Sequence, residues 1–329
     1  MGGCIHQSPS INQQIKIMEE LTLEERKKYR SAISQGFVHT DVNGYWHTFC
    51  GTWVKKHPNR ISTLKRLKKL LGHEPEWEDL TDDVLSDLKD SMRDSMAPNS
   101  VKTICAELKA VINRNVATKP IKSASYPKIL SSSKVPSTSV FLTDEELEVL
   151  HGYKPKSDTE QYVKKIFMLE CITGARNIDC RKLSLSNIVD VGGTKMLYYV
   201  PSKHPVDVYV PVHKWLMSYL ETESSTKHPI MSIGAFNNVL KNMCLRCRIN
   251  ERVKVYQAGG NQEGPKWMFV TSHVGRRTFA TLLFLKGASI EDIAMMMGHM
   301  NGNTPNIAMT ERYILCRRQI SQNVFKLFE

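Results

Sequence analysis

The chain has 329 residues, 41% of them hydrophobic and 24% charged, enough for two domains with cores of their own. A net charge of +12 and a pI near 9.2 favour a polyanionic partner over a small neutral substrate. No apolar run approaches the roughly 18 residues needed to span a membrane and the N-terminus lacks a signal-peptide core, so no membrane partner is expected and the cytoplasm is the expected setting.

The opening MGGCIH starts like a myristoylation signal but places His6 where Ser or Thr is required. Residues 1–35 read as a polar leader with one charged helix, TLEERKKYRSAIS, in which Thr22 and Glu25 stand at capping-box spacing. Residues 36–122 carry helical periodicity without strand patterns, the mark of a small α domain. In ISTLKRLKKLLG, Ile61, Leu64, Leu67, Leu70 and Leu71 form an apolar stripe, with Lys65, Arg66, Lys68 and Lys69 elsewhere around the helix. With Lys55 and Lys56 they make a basic stretch suited to DNA phosphates, or equally to a solvated helix face. Thr81 opens a further helix, DDVLSDLKDSM. Asn99 and Ser100, after Pro98, begin another whose apolar face is Val101, Ile104, Leu108, Val111 and Ile112. Residues 123–140 have the Ser- and Pro-rich composition of a linker.

A second domain, 141–329, starts cleanly at Thr143, which can cap DEELEVL with Glu146 reaching back. It is mainly helical with one strong strand signal: KMLYYVPSK and VDVYVPV predict a β-hairpin. Helices are predicted at VHKWLMSYLET, AFNNVLKNMCLRC, SHVGRRTFATLLFLKG and SIEDIAMMMG. Ser289 and Asp292 cap the last of these, and Gly287 and Gly298 suit left-handed helix ends. The fold class is therefore mainly α with a small β-hairpin or sheet, α+β, in two domains. Eight scattered cysteines read as reduced thiols. Cys244 and Cys247 form a CxxC with no second pair at zinc spacing, so a buried helix face is expected there rather than a metal.

The chemistry concentrates in few residues. His273 and Arg276 are three apart at a helix start and project from one face. Arg176 follows Thr173-Gly174 on a tight turn, and its guanidinium presents a rigid fork matched to phosphate oxygens. Two arginines converging on one phosphate neutralise its non-bridging oxygens as a fifth bond forms. Lys203, near the end of the first hairpin strand, can protonate a departing 5′-oxygen. His299 follows Gly298 at a helix end and can add a hydrogen bond to the phosphate. Tyr313 is the only tyrosine after His299, which makes it the natural nucleophile.

Arg176 in TGAR, Lys203 upstream of VYVPV, His273 and Arg276 in HVGRRTFAT, His299 in MGH and Tyr313 in TERY stand in one order and spacing. On them the second domain resembles the catalytic domain of tyrosine recombinases, the lambda-integrase and Xer-like site-specific DNA recombinases. Residues 37–116, especially APNSVKTICAELKAVIN, resemble the family's helical core-binding domain. The resemblance implies a C-shaped clamp on duplex DNA. Tyr313 would attack the scissile phosphate to give a 3′-phosphotyrosine and a free 5′-hydroxyl. Arg176, Arg276 and His299 would stabilise the pentavalent state, Lys203 would act as general acid, and His273 as general base or positioning group. No metal, ATP or other cofactor is implied. The partners implied are double-stranded recombination sites, bound as a homotetramer on paired sites, with room for accessory DNA-bending proteins; a bacterial, phage or mobile-element origin and a nucleoid association go with them. The rival readings are a type IB topoisomerase, which shares the Tyr–Arg–Arg–Lys logic, and a catalytically silent DNA-binding protein on the same scaffold. NGNTPNIAMT, between His299 and Tyr313, is several residues longer than the family usually shows. The tail QISQNVFKLFE puts Ile320, Val324, Leu327 and Phe328 on one stripe, suited to docking in a neighbouring protomer or on its own domain.

Overall fold

The computed structural model describes Thr22 and residues 47–135, 138–221, 231–257 and 260–315. The expected leader helix with its capping box and the expected C-terminal stripe lie outside them. The chain divides into two compact units, the second running from Thr138.

The first unit is all α. Helix α1 (Phe49–Lys56) begins at Thr48, whose hydroxyl accepts the Gly51 N–H at 3.0 Å. Helix α2 (Ile61–Leu71) ends at Gly72, in the left-handed region at φ 78°. Ile61, Leu64 and Leu67 are buried as predicted, but Leu70 is 45% exposed and Leu71 half-buried. The apolar stripe thus runs past the edge of the core in the last turn. Helix α3 (Asp82–Arg93) is capped by Thr81. Helix α4 (Pro98–Asn115) starts one residue before the predicted Asn99–Ser100. Asn99 does not cap it; its side chain pairs with both backbone groups of Val135, at 2.8 and 3.0 Å. Residues expected within the linker fold onto this unit: α5 (Tyr126–Ile129) leads into Leu130, 2% exposed, and Lys89 donates to the Ser131 carbonyl at 2.7 Å. Phe49, Trp53, Leu85, Leu88 and Ile112 are wholly buried in the core, each such side chain contributing about 1.5–3 kcal/mol.

In the second unit, α6 (Asp144–Gly152) opens on the predicted capping box: Thr143 and Glu146 exchange side-chain and backbone bonds at 3.3 and 2.9 Å. Helix α7 (Asp158–Thr173) forms the buried centre and packs along a later helix that carries the HVGRR motif. Helix α8 (Asn177–Cys180) follows after a turn. Strands β1 (Ile188–Val191), β2 (Thr194–Tyr199) and β3 (Val208–Pro211) make an antiparallel sheet in that order. The predicted hairpin is β2–β3, pairing Tyr199 with Val208 and Leu197 with Val210. Its unpredicted neighbour β1 is joined to β2 by Gly192 and Gly193, both at positive φ, which a two-residue hairpin turn requires.

Helix α9 (Leu216–Glu221) is shorter than predicted and α10 (Ile233–Arg246) follows. A further unpredicted pair, β4 (Arg252–Gln257) and β5 (Gly260–Pro265), is largely solvent-facing. Helix α11 (Ser272–Leu285) carries HVGRR, and α12 (Ile290–Met296) is capped by Ser289. Gly287 and Gly298 take positive φ, as expected of helix ends. The long segment before Tyr313 folds into a small hairpin, β6 (Met300–Asn301) with β7 (Thr304–Pro305), and a turn of helix, α13 (Ile307–Thr310). Cys244 lies in the core and Cys247 is half-buried at the end of α10. No His, Cys, Asp or Glu cluster suited to a metal occurs among the described residues, and no helix there is long and apolar enough to cross a membrane.

Candidate active site

Gly174 closes α7 at φ 67°. A Cβ there would meet the Phe279 ring at 2.5 Å, so both conformation and space demand glycine. Thr173 fixes the same turn: its buried hydroxyl donates to Leu169 O at 2.6 Å and accepts Ala175 N–H at 3.1 Å. The turn delivers Arg176 to the mouth of a groove lined also by Glu170, Asn177, His273, Arg276 and Tyr313. One Arg176 Nη and Arg276 Nε are buried without a protein partner among the described residues. The groove therefore presents buried donors to whatever anion enters it.

Arg276 is 2% exposed, on the inner face of α11. Its guanidinium donates to the Gly174 carbonyl, to Met297 O at 3.3 Å and to His299 Nε2 at 3.0 Å. A guanidinium is donor only, so His299 Nε2 accepts and its Nδ1 carries the proton. That N–H donates to Thr310 Oγ1 at 3.2 Å, and the Thr310 hydroxyl donates to Asn306 O at 3.0 Å. The chain of bonds fixes the imidazole tautomer and ties the β6–β7 segment to the site. His299 is buried, and burial, followed by the charges of Arg276 and Arg176, lowers its pKa to about 3. It is neutral at any working pH. For His273 the outer edge stays open to solvent; partial desolvation and then the charges of Arg277, Arg276 and Arg176 push it below the ordinary histidine range.

Tyr313 closes the arrangement. Its ring lies 5.0 Å from that of His273 and 4.9 Å from that of His299, with the Arg276 guanidinium 5.5 Å from its centroid. Five of the six predicted residues thus converge. Lys203 is exposed, beyond the end of β2 in the loop to β3 rather than on the strand. That loop is tethered by its neighbour Ser202, whose N–H is accepted by Asp179 at 2.9 Å and whose hydroxyl accepts from Lys182 at 2.9 Å. In the first unit, Lys55, Lys56, Lys65 and Lys69 are exposed and Lys68 is half-buried. Arg66 is committed to the fold, donating to the Ser91 carbonyl on α3 at 3.0 Å.

Two residues at the site were not anticipated. Glu170, on α7, is 1% exposed and bonds the Ser272 hydroxyl at the start of α11 at 2.5 Å. Burial raises its pKa to about 8, against lowering by bonds to Ser272 and Asn177 and by the charge of Arg276. Its place in an apolar run, IFMLEC, was the available signal. An acid whose folded pKa lies above its unfolded value costs stability as pH rises from about 4.5 towards 8, and the cost is then constant. Glu170→Gln keeps an amide oxygen to accept the Ser272 hydroxyl and removes the ionisation. Its melting temperature is expected to match wild type near pH 4.5 and to exceed it increasingly up to pH 8; a variant less stable than wild type at pH 8 would contradict this. The other is Arg277, the second arginine of the HVGRR doublet, which lies against Tyr313 with its guanidinium 5.6 Å from the ring centroid.

Residues 140–317 match the model of the phage integrase family. No curated protein matches the sequence. Among solved structures, an XerH site-specific recombinase bound to palindromic difH substrate is 11% identical, with TM-score 0.55 over 98% of this chain and 90% of that one. The Tn1549 transposon integrase in complex with a circular intermediate DNA is 14% identical, TM-score 0.53, over 83% and 94%. A lambda integrase dimer bound to a core site is 21% identical, TM-score 0.51, over 80% and 90%. At these identities the likeness is one of fold.

Proposed function

Because the chain belongs to the phage integrase family and is thereby a tyrosine-type site-specific recombinase acting on DNA, we propose that Tyr313 is its nucleophile and that the groove around it is where the phosphodiester is exchanged. The observation that carries this reading is the packing of the Tyr313 ring among His273, His299 and Arg276. The phenolic oxygen attacks phosphorus, the bond to the 5′-oxygen breaks, and the DNA 3′ end is left esterified to tyrosine. The 5′-hydroxyl of a partner strand reverses the exchange on a new end. One ester replaces another at each step, so no ATP is consumed.

Arg176 and Arg276 supply the fixed positive charge for the pentavalent phosphorane, from donors already buried and oriented. Neutral His299 has its Nδ1 proton committed to Thr310 and its Nε2 to Arg276, which suits it to orienting Arg276 and, on rearrangement, to donating to a phosphate oxygen. His273, held unprotonated by its lowered pKa and open to the groove with its ring 5.0 Å from that of Tyr313, is the proposed acceptor of the phenolic proton. Lys203, on its tethered loop, is the proposed acid for the departing 5′-oxygen. Lys55, Lys56, Lys65 and Lys69 on the first unit are proposed to meet the phosphate backbone, within a homotetramer on paired sites, with accessory DNA-bending proteins where the site requires them and a nucleoid setting.

The test is capture. A pool of randomised duplexes, each with a central nick, is incubated with the protein in the presence of a chelator and scored for SDS-resistant protein–DNA adducts. Adducts enriched for particular sequences are expected; none from any sequence would overturn the reading. On an enriched sequence, log affinity should fall with log salt at about 0.9 per phosphate contact, and Lys69→Ala should lower that slope by about one contact. A slope unchanged by any of the four lysine substitutions would remove them from the interface.

A further inference from the structure

Arg277 and Thr281 stand one turn apart on α11, and both hold the segment that carries the nucleophile. Arg277 Nη1 donates to the Arg312 carbonyl at 2.8 Å, and its guanidinium lies 5.6 Å from the centre of the Tyr313 ring. The Thr281 hydroxyl donates to Tyr313 O at 3.2 Å and accepts Leu315 N–H at 3.2 Å. The carbonyls of residues 312 and 313 and the amide of 315 are thus anchored to one helix. That helix also carries Arg276, so nucleophile and phosphate-binding guanidinium share a rigid support.

We propose that Arg277 is a positioning residue for Tyr313, forming with Thr281 a latch that holds the nucleophile in place before DNA is bound. This rests on the assignment of Tyr313 as the nucleophile. The bonds fall on backbone at both sides of Tyr313, which restricts the ring without occupying its hydroxyl. Arg277 lies over the ring face, where a cation is attracted to the π system and a neutral side chain is not. The α11 helix has its own core contacts through Val274, Phe279 and Ala280, so loosening the latch frees 307–315 while leaving α11 folded. A tyrosine freed in this way reaches the in-line geometry for attack in a smaller fraction of encounters, and an ångström of misplacement costs on the order of 10²-fold in rate.

Two measurements on the full chain test this. In hydrogen exchange without DNA, Arg277→Gln and Thr281→Val should each speed exchange in peptide 307–315 by about tenfold, the worth of one hydrogen bond or cation–π contact. Peptides from 272–285 should not change. In single-turnover capture on a nicked duplex enriched from the randomised pool, Arg277→Gln should slow adduct formation on the order of 10²-fold with affinity and salt slope unchanged. Arg277→Lys, which keeps the charge and one donor, should recover part of the rate. Unchanged protection of 307–315 in Arg277→Gln overturns the latch, as does a wild-type capture rate in that variant. A loss of affinity with a reduced salt slope also overturns it, by making Arg277 a phosphate contact. Failure of the wild-type protein itself to form adducts speaks instead against the nucleophile assignment, and the exchange measurement stands apart from that outcome.

Discussion

Tyr313→Phe is expected to abolish covalent capture of DNA while leaving the fold and site binding as they are. Phenylalanine keeps the ring, and with it the packing against His273 and His299 and the faces presented to Arg276 and Arg277. The backbone bonds through Thr281 and Arg312 are untouched. Only the hydroxyl goes, and with it the proposed nucleophile. Adduct formation should fall on the order of 10⁴-fold or more, as when a covalent nucleophile is removed. The melting temperature should stay within about 1 °C of wild type, since a substitution that removes no fold contact is nearly neutral. Residual adduct at a tenth of the wild-type rate would mean that another residue attacks.

Arg276→Ala should be nearly as damaging to cleavage but for two separable reasons. On the proposed mechanism the guanidinium is one of the fixed charges at the phosphate, and loss of such a donor costs roughly 3–4 kcal/mol of barrier, or 10²–10³-fold. It is also a structural brace, satisfying the buried carbonyls of Gly174 and Met297 and orienting His299. Stripping a buried acceptor of its partner costs about 1–3 kcal/mol, so this variant should melt lower as well. Arg176→Gln separates the two effects. Arg176 lies close enough to Arg276 for that charge, after burial, to lower its own pKa, and one of its Nη atoms has no protein partner among the described residues. Its removal should lose cleavage to a similar degree with no loss of melting temperature. Equal destabilisation by the two substitutions would contradict this division of labour.

What could be read from the chain and what could not follows from the range of the forces involved. The site residues sit in short motifs whose residue types have few other uses: a glycine forced by φ, an arginine after it, a histidine and an arginine one turn apart. Their convergence is consistent with the core packing of α7 on α11, which the apolar faces of those helices encode. Strand β1 carries no strand pattern of its own although Gly192-Gly193 marks its hairpin, because four residues with one charged member resemble a loop. The pair β4–β5 faces solvent and has no apolar alternation to find. Periodicity marks α2 as amphipathic but not where the core ends, so it places Leu70 with the apolar stripe and Arg66 off it, whereas Leu70 is exposed and Arg66 reaches Ser91 on α3. Glu170, Arg277 and Asp179 act through partners 35 to 102 residues or, for Asp179, 23 residues away along the chain. No local pattern specifies such pairs.

The long segment before Tyr313 shows the same limit. Its length alone left the route of the tyrosine to the site unread. Three local devices settle it: the β6–β7 hairpin, the Asn306 side chain capping α13 by accepting Met309 N–H at 3.0 Å, and the Thr310 bond to His299. Residues 300–305 are taken up in the hairpin, and Tyr313 emerges after the turn of helix, beside the two histidines.

The most direct measurement is to digest the adduct formed on an enriched nicked duplex and locate the nucleotide by tandem mass spectrometry. The account predicts a single modified residue, Tyr313, joined to a DNA 3′-phosphate, with a free hydroxyl on the released 5′ end. A nucleotide found on another side chain, or a linkage to a 5′-phosphate, would contradict it.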